Sequence, residues 1–349
     1  MHLQEQLQGL GYKAEVAEWF EDGRIDPGAA TNCDVLILYR LGMSPPLRQL
    51  IEGARALGRR VIFDTDDLIF EPELIEWHRG VRNLSDANQE LHAAGVRRYL
   101  ETLQACDAVL AATPPLAELA RKRGKPAFVH RNSLGKEMLA LADRLYQQRR
   151  PRDSGRVVIG YGSGTPTHDV DFHEATAALE NVLDRFAQVE LWIAGPLTLP
   201  AKLAKFGDRV QRFPLTDWRG WFELMSRMDI AVSPLEPGNI FCRAKSEIKF
   251  VEAGALGIAM VASDIDPFRD SISHGEEGLL AANEKQWTEA LTLLIEQSEL
   301  RKQMGENARR KILDRYSPQA RTAELSALLP ELLSSVARSP AAVQTSTDK

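Results

Sequence analysis

The chain has 349 residues, of which 44% are hydrophobic and 26% charged, and these fractions exclude disordered and fibrous classes of protein. The formal net charge is −6, from 43 basic and 49 acidic residues, which argues against nucleic acid as the main partner. Three cysteines without a C-x-x-C pair indicate neither a disulfide framework nor a cysteine zinc site. No apolar run is long enough for a membrane span. We therefore expect a cytoplasmic protein of about two domains.

The first half of the chain, residues 1–150, alternates apolar runs with helical patterns. After a leading helix with Leu3, Leu7 and Leu10 on one side, strands are predicted at 35–39, 61–63, 108–112 and 127–130. Strands that alternate with helices form parallel sheets. Because such a domain normally opens with a strand, the leading helix suggests that the first strand is missing here.

A second α/β unit follows a Pro-Arg-Asp-Ser-Gly stretch at 151–155, whose composition is typical of a linker. Its strands are predicted at 157–161, 189–194, 210–213, 230–233, 260–263 and 279–281. We expect a second domain over 151–316, a closing helix over 317–336 and a disordered tail over 337–349. This order predicts two doubly wound, Rossmann-like domains that face a central cleft.

The most informative segment for chemistry runs from residue 240 to 263. Lys245, Lys249 and Glu252 are spaced i, i+4, i+7, so on a helix that begins near Ser246 they lie on one stripe. Two lysines beside a helix N-terminus suit a diphosphate, and a carboxylate one turn deeper can accept two ribose hydroxyls. The alternative is a helical Lys249–Glu252 ion pair that faces water.

Two other polar stretches follow predicted strands. Residues 162–168 form a Gly/Ser turn whose backbone N–H groups can contact phosphate, or else a plain turn. Asp64, Asp66 and Asp67 follow the strand at 61–63, where α/β folds place active sites. The second stretch also resembles the opening of a haloacid-dehalogenase-type phosphatase and the Asp-x-Asp metal motif of GT-A transferases, and a helix N-cap at Asp66 or Asp67 is a further alternative.

Several motifs occur together in a recognisable order. They are Ile159-Gly-Tyr-Gly-Ser-Gly-Thr, Trp192-Ile-Ala-Gly195-Pro, Asp229-Ile-Ala-Val-Ser-Pro234, Lys249-x-x-Glu252-Ala and His274-Gly-Glu-Glu-Gly278-Leu-Leu. This set resembles the donor-binding half of the retaining GT-B glycosyltransferases of family four, also called group 1, known from bacterial surface-polysaccharide assembly. The resemblance extends from about residue 156 to residue 316 and is weaker before residue 150.

The resemblance implies a function and roles for single residues. It implies transfer of a sugar from a nucleotide-diphosphate sugar to a glycan or lipid-linked glycan acceptor, with retention and with neither metal nor cofactor. Glu252 matches the second acid of the family's paired-glutamate motif, which contacts the donor ribose. The first acid falls at Ala244, and Glu236 is the candidate replacement. The family's His-Asp pair aligns with Asp66 and Asp67.

The candidate residues divide into two groups. The catalytic candidates are Asp66, Asp67, His168 and Glu236. The donor-binding candidates are Gly162, Ser163, Gly164, Thr165, Gly195, Phe213, Arg243, Lys245, Ser246, Lys249 and Glu252. Arg243, Lys245 and Lys249 supply the positive charge that the family's absent Arg and Lys clamp would give.

Two further readings of the function stay open. One is a catalytically reduced GT-B subunit that binds donor or a partner transferase module, and the other is a nucleotide-sugar epimerase. Basic clusters at 121–125 and 149–152 are compatible with peripheral contact with the inner face of the membrane, with solvated surface charge as the alternative.

Overall fold

A computed structural model describes residues 2–17, 32–149, 155–165 and 168–334. The core of the predicted linker, 151–154, and the predicted tail at 337–349 lie outside these residues. The strands are β1 (Val35–Tyr39), β2 (Arg60–Thr65), β3 (Ala108–Ala111), β4 (Ala127–Val129), β5 (Val157–Gly162), β6 (Val189–Ala194), β7 (Val210–Phe213), β8 (Ile230–Ser233), β9 (Ala259–Ser263) and β10 (Gly278–Ala281). All of them pair in parallel, in two separate sheets.

Helices occupy most of the remaining described chain. They are α1 (His2–Gly9), α2 (Pro45–Ala56), α3 (Asp86–Ala105), α4 (Pro114–Lys122), α5 (Lys136–Gln148), α6 (Asp169–Arg185), α7 (Ala201–Ala204), α8 (Trp218–Met225), α9 (Ile240–Ala244), α10 (Ile248–Ala255), α11 (Asp266–Arg269), α12 (Glu284–Glu296), α13 (Ser298–Tyr316) and α14 (Pro318–Ser334). Short 3-10 helices lie at Pro72–Trp77, Arg79–Asn83 and Gly207–Arg209.

The first sheet has the strand order β1-β2-β3-β4. Because each new strand adds to the same edge, right-handed crossovers bring α2, α3 and α4 to one face, where their apolar side chains pack with Phe63 and Val109. The other face, with Ile62 and Leu110, is covered by α1 and α14. The two ends of the described chain thus complete the first domain.

The second sheet has the order β10-β9-β8-β5-β6-β7. The strand order reverses at β5, which pairs with β6 on one side and β8 on the other. Helices α6 and α12 pack on one face, and α8, α10 and α13 pack on the other. A reversal of this kind opens a crevice beyond the carboxyl ends of the two central strands.

The predicted strands all form, and each predicted end lies within two residues of the observed end. The helix predicted to begin near Ser246 forms as α10 and begins at Ile248, but Lys245 precedes it in an extended conformation, in the non-helical segment after α9. Lys245, Lys249 and Glu252 therefore do not share one helical stripe.

Polar contacts join the two domains beside this break. The Thr113 hydroxyl donates to the Ala244 carbonyl at 2.9 Å, and Asn132 donates to the Ser246 hydroxyl at 2.9 Å. Arg131 pairs with the buried Glu247 at 2.8 Å. The first domain thus holds the segment that links α9 to α10.

Two features of the described chain bear on membrane contact: the hydropathy of its helices and the basic cluster at 121–125. No helix in the described ranges is long and apolar enough to cross a bilayer. In the basic cluster at 121–125, Arg123 pairs with Glu71 at 2.6 Å, and Arg121 and Lys125 donate to backbone carbonyls. These three basic side chains therefore bind groups of the protein itself.

Candidate functional site

The candidate site lies at the reversal in the second sheet. The loop after β5 leads into α6, and the loop after β8 leads through α9 into α10. Helices α6 and α10 both begin beside the crevice, and no side-chain cap is found at either start among the described residues. The first backbone N–H groups of such helices are available to an anion.

A buried carboxylate lies at the centre of the crevice. Asp171, in the first turn of α6, accepts from Lys245 Nζ at 2.8 Å and lies 3.2 Å from His168 Nδ1. It also accepts from the Cys242 thiol at 3.1 Å and from the Glu236 backbone amide at 3.3 Å. Sequence reasoning missed Asp171, because an acid in the first turn of a helix is normally explained by the helix dipole alone.

The charged groups of this cluster stabilise one another. Burial opposes ionisation of Asp171, but His168 and Lys245 outweigh burial and lower the pKa of the carboxyl. Burial likewise opposes the charged form of Lys245, yet Asp171 raises the pKa of that ammonium. The pKa of His168 is lowered by burial and by Lys245, so the imidazole is mainly neutral near pH 7. The cluster therefore contains one ion pair, between Asp171 and Lys245, beside a neutral His168.

Lys249 is the unusual cation of the crevice. Its Nζ is buried, lies 4.5 Å from the centre of the Tyr161 ring and has no hydrogen-bond partner among the described residues. Burial and the nearby Lys245 lower the pKa of Lys249 to about 8. The alternative of a water-facing Lys249–Glu252 ion pair is therefore wrong. A buried ammonium without a partner is costly unless an anion joins it.

Glu252 lies one turn further along α10. Its carboxylate accepts from Trp221 Nε1 at 3.0 Å, and burial raises the pKa of the carboxyl. A side chain at Gly162 would have its Cβ 2.7 Å from the Trp221 ring. The absence of that side chain lets the indole of α8 lie against the end of β5 and reach Glu252. No sequence motif indicated Trp221.

The first domain forms the opposite wall of the crevice. Arg79 pairs with Glu236 at 2.8 Å, the backbone carbonyl of Trp77 accepts from Asn239 at 2.9 Å, and the His78 ring stacks on Phe241 with 4.1 Å between centroids. These contacts enclose a cavity of about 260 Å³, whose lining includes Asp67, Trp77, His168, Asp171, Glu236 and Lys245. No sequence motif indicated this wall.

The predicted catalytic candidates are brought to this cavity with one exception. Asp67, His168 and Glu236 line it. Asp66 lies beside it, where its carboxylate pairs with Arg40 at 2.5 Å and accepts from the Tyr39 hydroxyl at 3.1 Å. Arg40 also reaches Asp67 at 3.4 Å, and its φ of 49° is a left-handed conformation that is uncommon outside glycine.

The predicted donor-binding residues are more dispersed. Gly195 has φ +84°, and a Cβ there would lie 2.0 Å from the Ser163 carbonyl oxygen, so the end of β6 packs directly on the loop after β5. The Ser163 hydroxyl donates to the Thr165 carbonyl, and Gly164 and Thr165 are exposed.

Three other predicted donor-binding residues lie away from the cavity wall. Phe213 packs against Trp192, 5.1 Å between centroids, and Ser246 accepts from Asn132. Arg243 is largely exposed and pairs with Asp266 at 2.7 Å.

Ala244, the position to which the resemblance assigns the first acid, lies in apolar surroundings. It is fully buried and packs with the apolar core of the first domain. A carboxylate at this position would lose its hydration in apolar surroundings. Within the described parts of the chain, no group of three or more His, Cys, Asp or Glu side chains is arranged to hold a metal ion.

Comparisons with known proteins agree with this geometry. Residues 157–297 match the family model described as "Glycosyl transferases group 1". A comparison with curated proteins gives no match. Among solved structures, HepE from Anabaena in complex with UDP and glucose has a TM-score of 0.59 at 15% identity, over 87% of this chain and 79% of HepE. The fold is GT-B.

Two further structures share this architecture. Sucrose-phosphate synthase from Thermosynechococcus elongatus has a TM-score of 0.56 at 14% identity, over 88% of this chain and 76% of the synthase. A TarM variant from S. aureus, solved with fondaparinux, α-GlcNAc-glycerol and UDP, has a TM-score of 0.55 at 15% identity, over 84% of this chain and 55% of TarM. The predicted GT-B architecture of two parallel-sheet α/β domains is confirmed.

Proposed function

We propose that this GT-B protein transfers a sugar from a nucleotide-diphosphate sugar to a glycan or lipid-linked glycan acceptor, with retention of the anomeric configuration. The observation that carries the proposal is the buried ammonium of Lys249 at the β5/β8 crevice, for which the described residues supply no hydrogen-bond partner. The match of residues 157–297 to the group 1 family and the UDP complexes of HepE and TarM support it.

The donor's diphosphate binds between the start of α6 and the start of α10. Lys249 and Lys245 supply two positive charges, and the helix N-termini supply backbone N–H groups. These groups stabilise the charge that develops on the nucleoside diphosphate as the glycosidic bond breaks. Because the ammonium groups occupy the place where a cation would act, we propose that binding needs neither metal nor cofactor.

Glu252 accepts the ribose hydroxyls of the donor. Trp221 already donates to this carboxylate, which fixes its orientation and leaves further acceptor positions open. The transferred sugar then lies towards Glu236 and His168. Asp66 and Asp67, on the first-domain side, contact the acceptor. We assign no protein nucleophile, and retention rests on the family resemblance.

Proposed partners follow from the same resemblance. They are a glycan acceptor, partner transferase modules and the inner face of a membrane, which the protein would contact peripherally from the cytoplasm.

A mass-spectrometric screen with several sugar nucleotides tests the activity. We expect hydrolysis of one donor, or transfer to added glycans, at a rate that EDTA leaves unchanged. Stereochemical change without hydrolysis or transfer would identify an epimerase instead. Loss of nucleotide binding in EDTA would contradict the lysine-based site and favour a metal at Asp64 and Asp66.

A catalytically reduced subunit is the second candidate. Ala244 lacks a carboxylate, and the replacement candidate Glu236 is already paired with Arg79 and accepts from Asn239 at 2.8 Å. Donor binding without turnover in the same screen would favour this function.

A further inference from the structure

The Asp171 carboxylate organises the crevice more than any residue that sequence motifs indicated. It contacts two side chains beside the diphosphate position, Lys245 and His168, and two groups between β8 and α10, the Cys242 thiol of α9 and the Glu236 amide. Its side chain is only 7% exposed. One carboxylate therefore connects the start of α6 to the segment that leads from β8 through α9 to Lys245.

Comparison of the two lysines indicates what this carboxylate does. Lys245 and Lys249 are both largely buried, and they differ in that, within the described parts of the chain, Lys245 has a carboxylate partner and Lys249 has none. Burial lowers the pKa of Lys249 to about 8, whereas Asp171 raises the pKa of Lys245. Asp171 therefore keeps one crevice cation charged over the whole neutral range.

We propose that Asp171 is a positioning residue for the donor, which holds the Lys245 ammonium charged and in place where it meets the diphosphate. This inference rests on the proposed function. Asp171 itself touches neither the reacting atoms nor the donor.

Other ionisable groups also face this cluster from each neighbouring element. They are Asp67, His78 and Arg79 of the first domain, Glu174 of α6, Tyr161 of β5, Glu236 of the loop after β8, Cys242 of α9 and Lys249 of α10. Among them, Lys249, His78 and Arg79 have cationic forms; burial favours the neutral form of Lys249 and His78, and Arg79 is paired with Glu236. No other cation of this set replaces Lys245 when Asp171 is changed.

The competing explanation makes Asp171 a purely structural acid that stabilises the N-terminus of α6. The two explanations differ in their pH dependence. If Asp171 keeps Lys245 charged, Asp171→Asn leaves a buried ammonium that loses its proton as the pH rises. A structural role predicts the same loss of affinity at every pH.

The test is calorimetric titration with UDP, GDP and dTDP of the wild type, Asp171→Asn and the control Asp184→Asn, which changes an exposed acid of the same helix. We expect Asp171→Asn to weaken binding about tenfold or more near pH 8, and less than about threefold near pH 6. We expect Asp184→Asn to match the wild type at both pH values.

A second background keeps the test valid if Asp171→Asn folds poorly. Lys245→Met removes the cation, so adding Asp171→Asn to it removes the buried pair as a whole. In that background we expect Asp171→Asn to change affinity less than about threefold at either pH.

Each remaining outcome overturns a distinct claim. A pH-independent loss in Asp171→Asn, or a full tenfold loss in the Lys245→Met background, overturns the positioning role alone. Failure of the folded wild type to bind any of the three nucleotides overturns the proposed function and this inference with it.

Discussion

At the scale of single residues, Lys249 lowers the stability of the folded protein, and in the proposed site its charge is offered to the ligand. A buried ammonium whose pKa falls from 10.5 to about 8 costs about 3 kcal/mol of folding free energy near pH 7. Such a cost is expected where a ligand, rather than the protein, supplies the counter-charge.

We predict that Lys249→Met stabilises the protein by about 2 to 3 kcal/mol near pH 7, because a flexible apolar chain replaces the buried charge. The same change should abolish the binding of inorganic pyrophosphate. Denaturant unfolding and calorimetry measure the two quantities on one variant.

The pH dependence of this gain has a fixed sign. Between pH 8 and 10.5 the unfolded chain keeps the Lys249 proton that the folded chain has lost, so wild-type stability rises with pH there. The advantage of Lys249→Met should therefore fade towards about pH 10.5. A variant less stable than the wild type at neutral pH would show that Lys249 already has a partner.

At the scale of elements, the loop after β5 depends on the end of β6. Gly195 adopts φ +84°, and a Cβ there would lie 2.0 Å from the Ser163 carbonyl oxygen. The close approach fixes the start of the loop that leads to His168.

We predict that Gly195→Ala costs about 1 to 3 kcal/mol of stability and weakens nucleotide binding, because the backbone is strained and the loop is displaced. Gly58→Ala is the matched control, since Gly58 has a similar φ of +76° and a Cβ there meets no atom within 4 Å. Thermal unfolding and nucleotide titration of both variants measure the effects. Equal behaviour of the two variants would show that the loop does not depend on this contact.

Elements were predictable from sequence where local patterns determine them. Strand β6, Val189–Ala194, is apolar except for Glu190 and matches its prediction residue for residue. The break between α9 and α10 was not predictable, because contacts from the first domain hold it: Asn132 binds Ser246 and Arg131 binds Glu247. Local periodicity carries no information on such contacts.

The same distinction holds for the site. Glu252 and Lys249 were indicated by spacing that one helix determines. Asp171 is joined to Lys245 across more than 70 positions of sequence, and Arg79 meets Glu236 across a still longer interval. Only the folded arrangement of both domains brings these side chains together.

At the scale of the whole molecule, the cleft is closed by the contacts of Trp77, His78 and Arg79 with the second domain. These contacts lie around the cavity beside Asp171, and we expect them to break when the two domains separate.

We predict that Arg79→Ala enlarges the radius of gyration of the ligand-free protein in small-angle scattering, because it removes the ion pair that joins the two domains. Arg48→Ala removes an exposed pair with Glu101 inside the first domain and should leave the radius unchanged. If both variants scatter like the wild type, the Arg79–Glu236 pair does not hold the cleft closed.

The central claim is that the β5/β8 crevice binds a nucleoside diphosphate with its ribose on Glu252. Glu252→Gln keeps an acceptor for Trp221 and removes the charge, so the fold should persist. Losing charge-assisted bonds to two ribose hydroxyls should cost about 1.5 to 3 kcal/mol, roughly tenfold to a hundredfold in affinity. The control Glu223→Gln changes an exposed acid of α8.

Calorimetric titration of the wild type, Glu252→Gln and Glu223→Gln with UDP, GDP and dTDP, and with pyrophosphate as a ligand without ribose, tests this claim most directly. We predict weaker nucleotide binding in Glu252→Gln alone, with pyrophosphate affinity unchanged in all three proteins. Nucleotide affinity that is the same in Glu252→Gln and the wild type would contradict the claim.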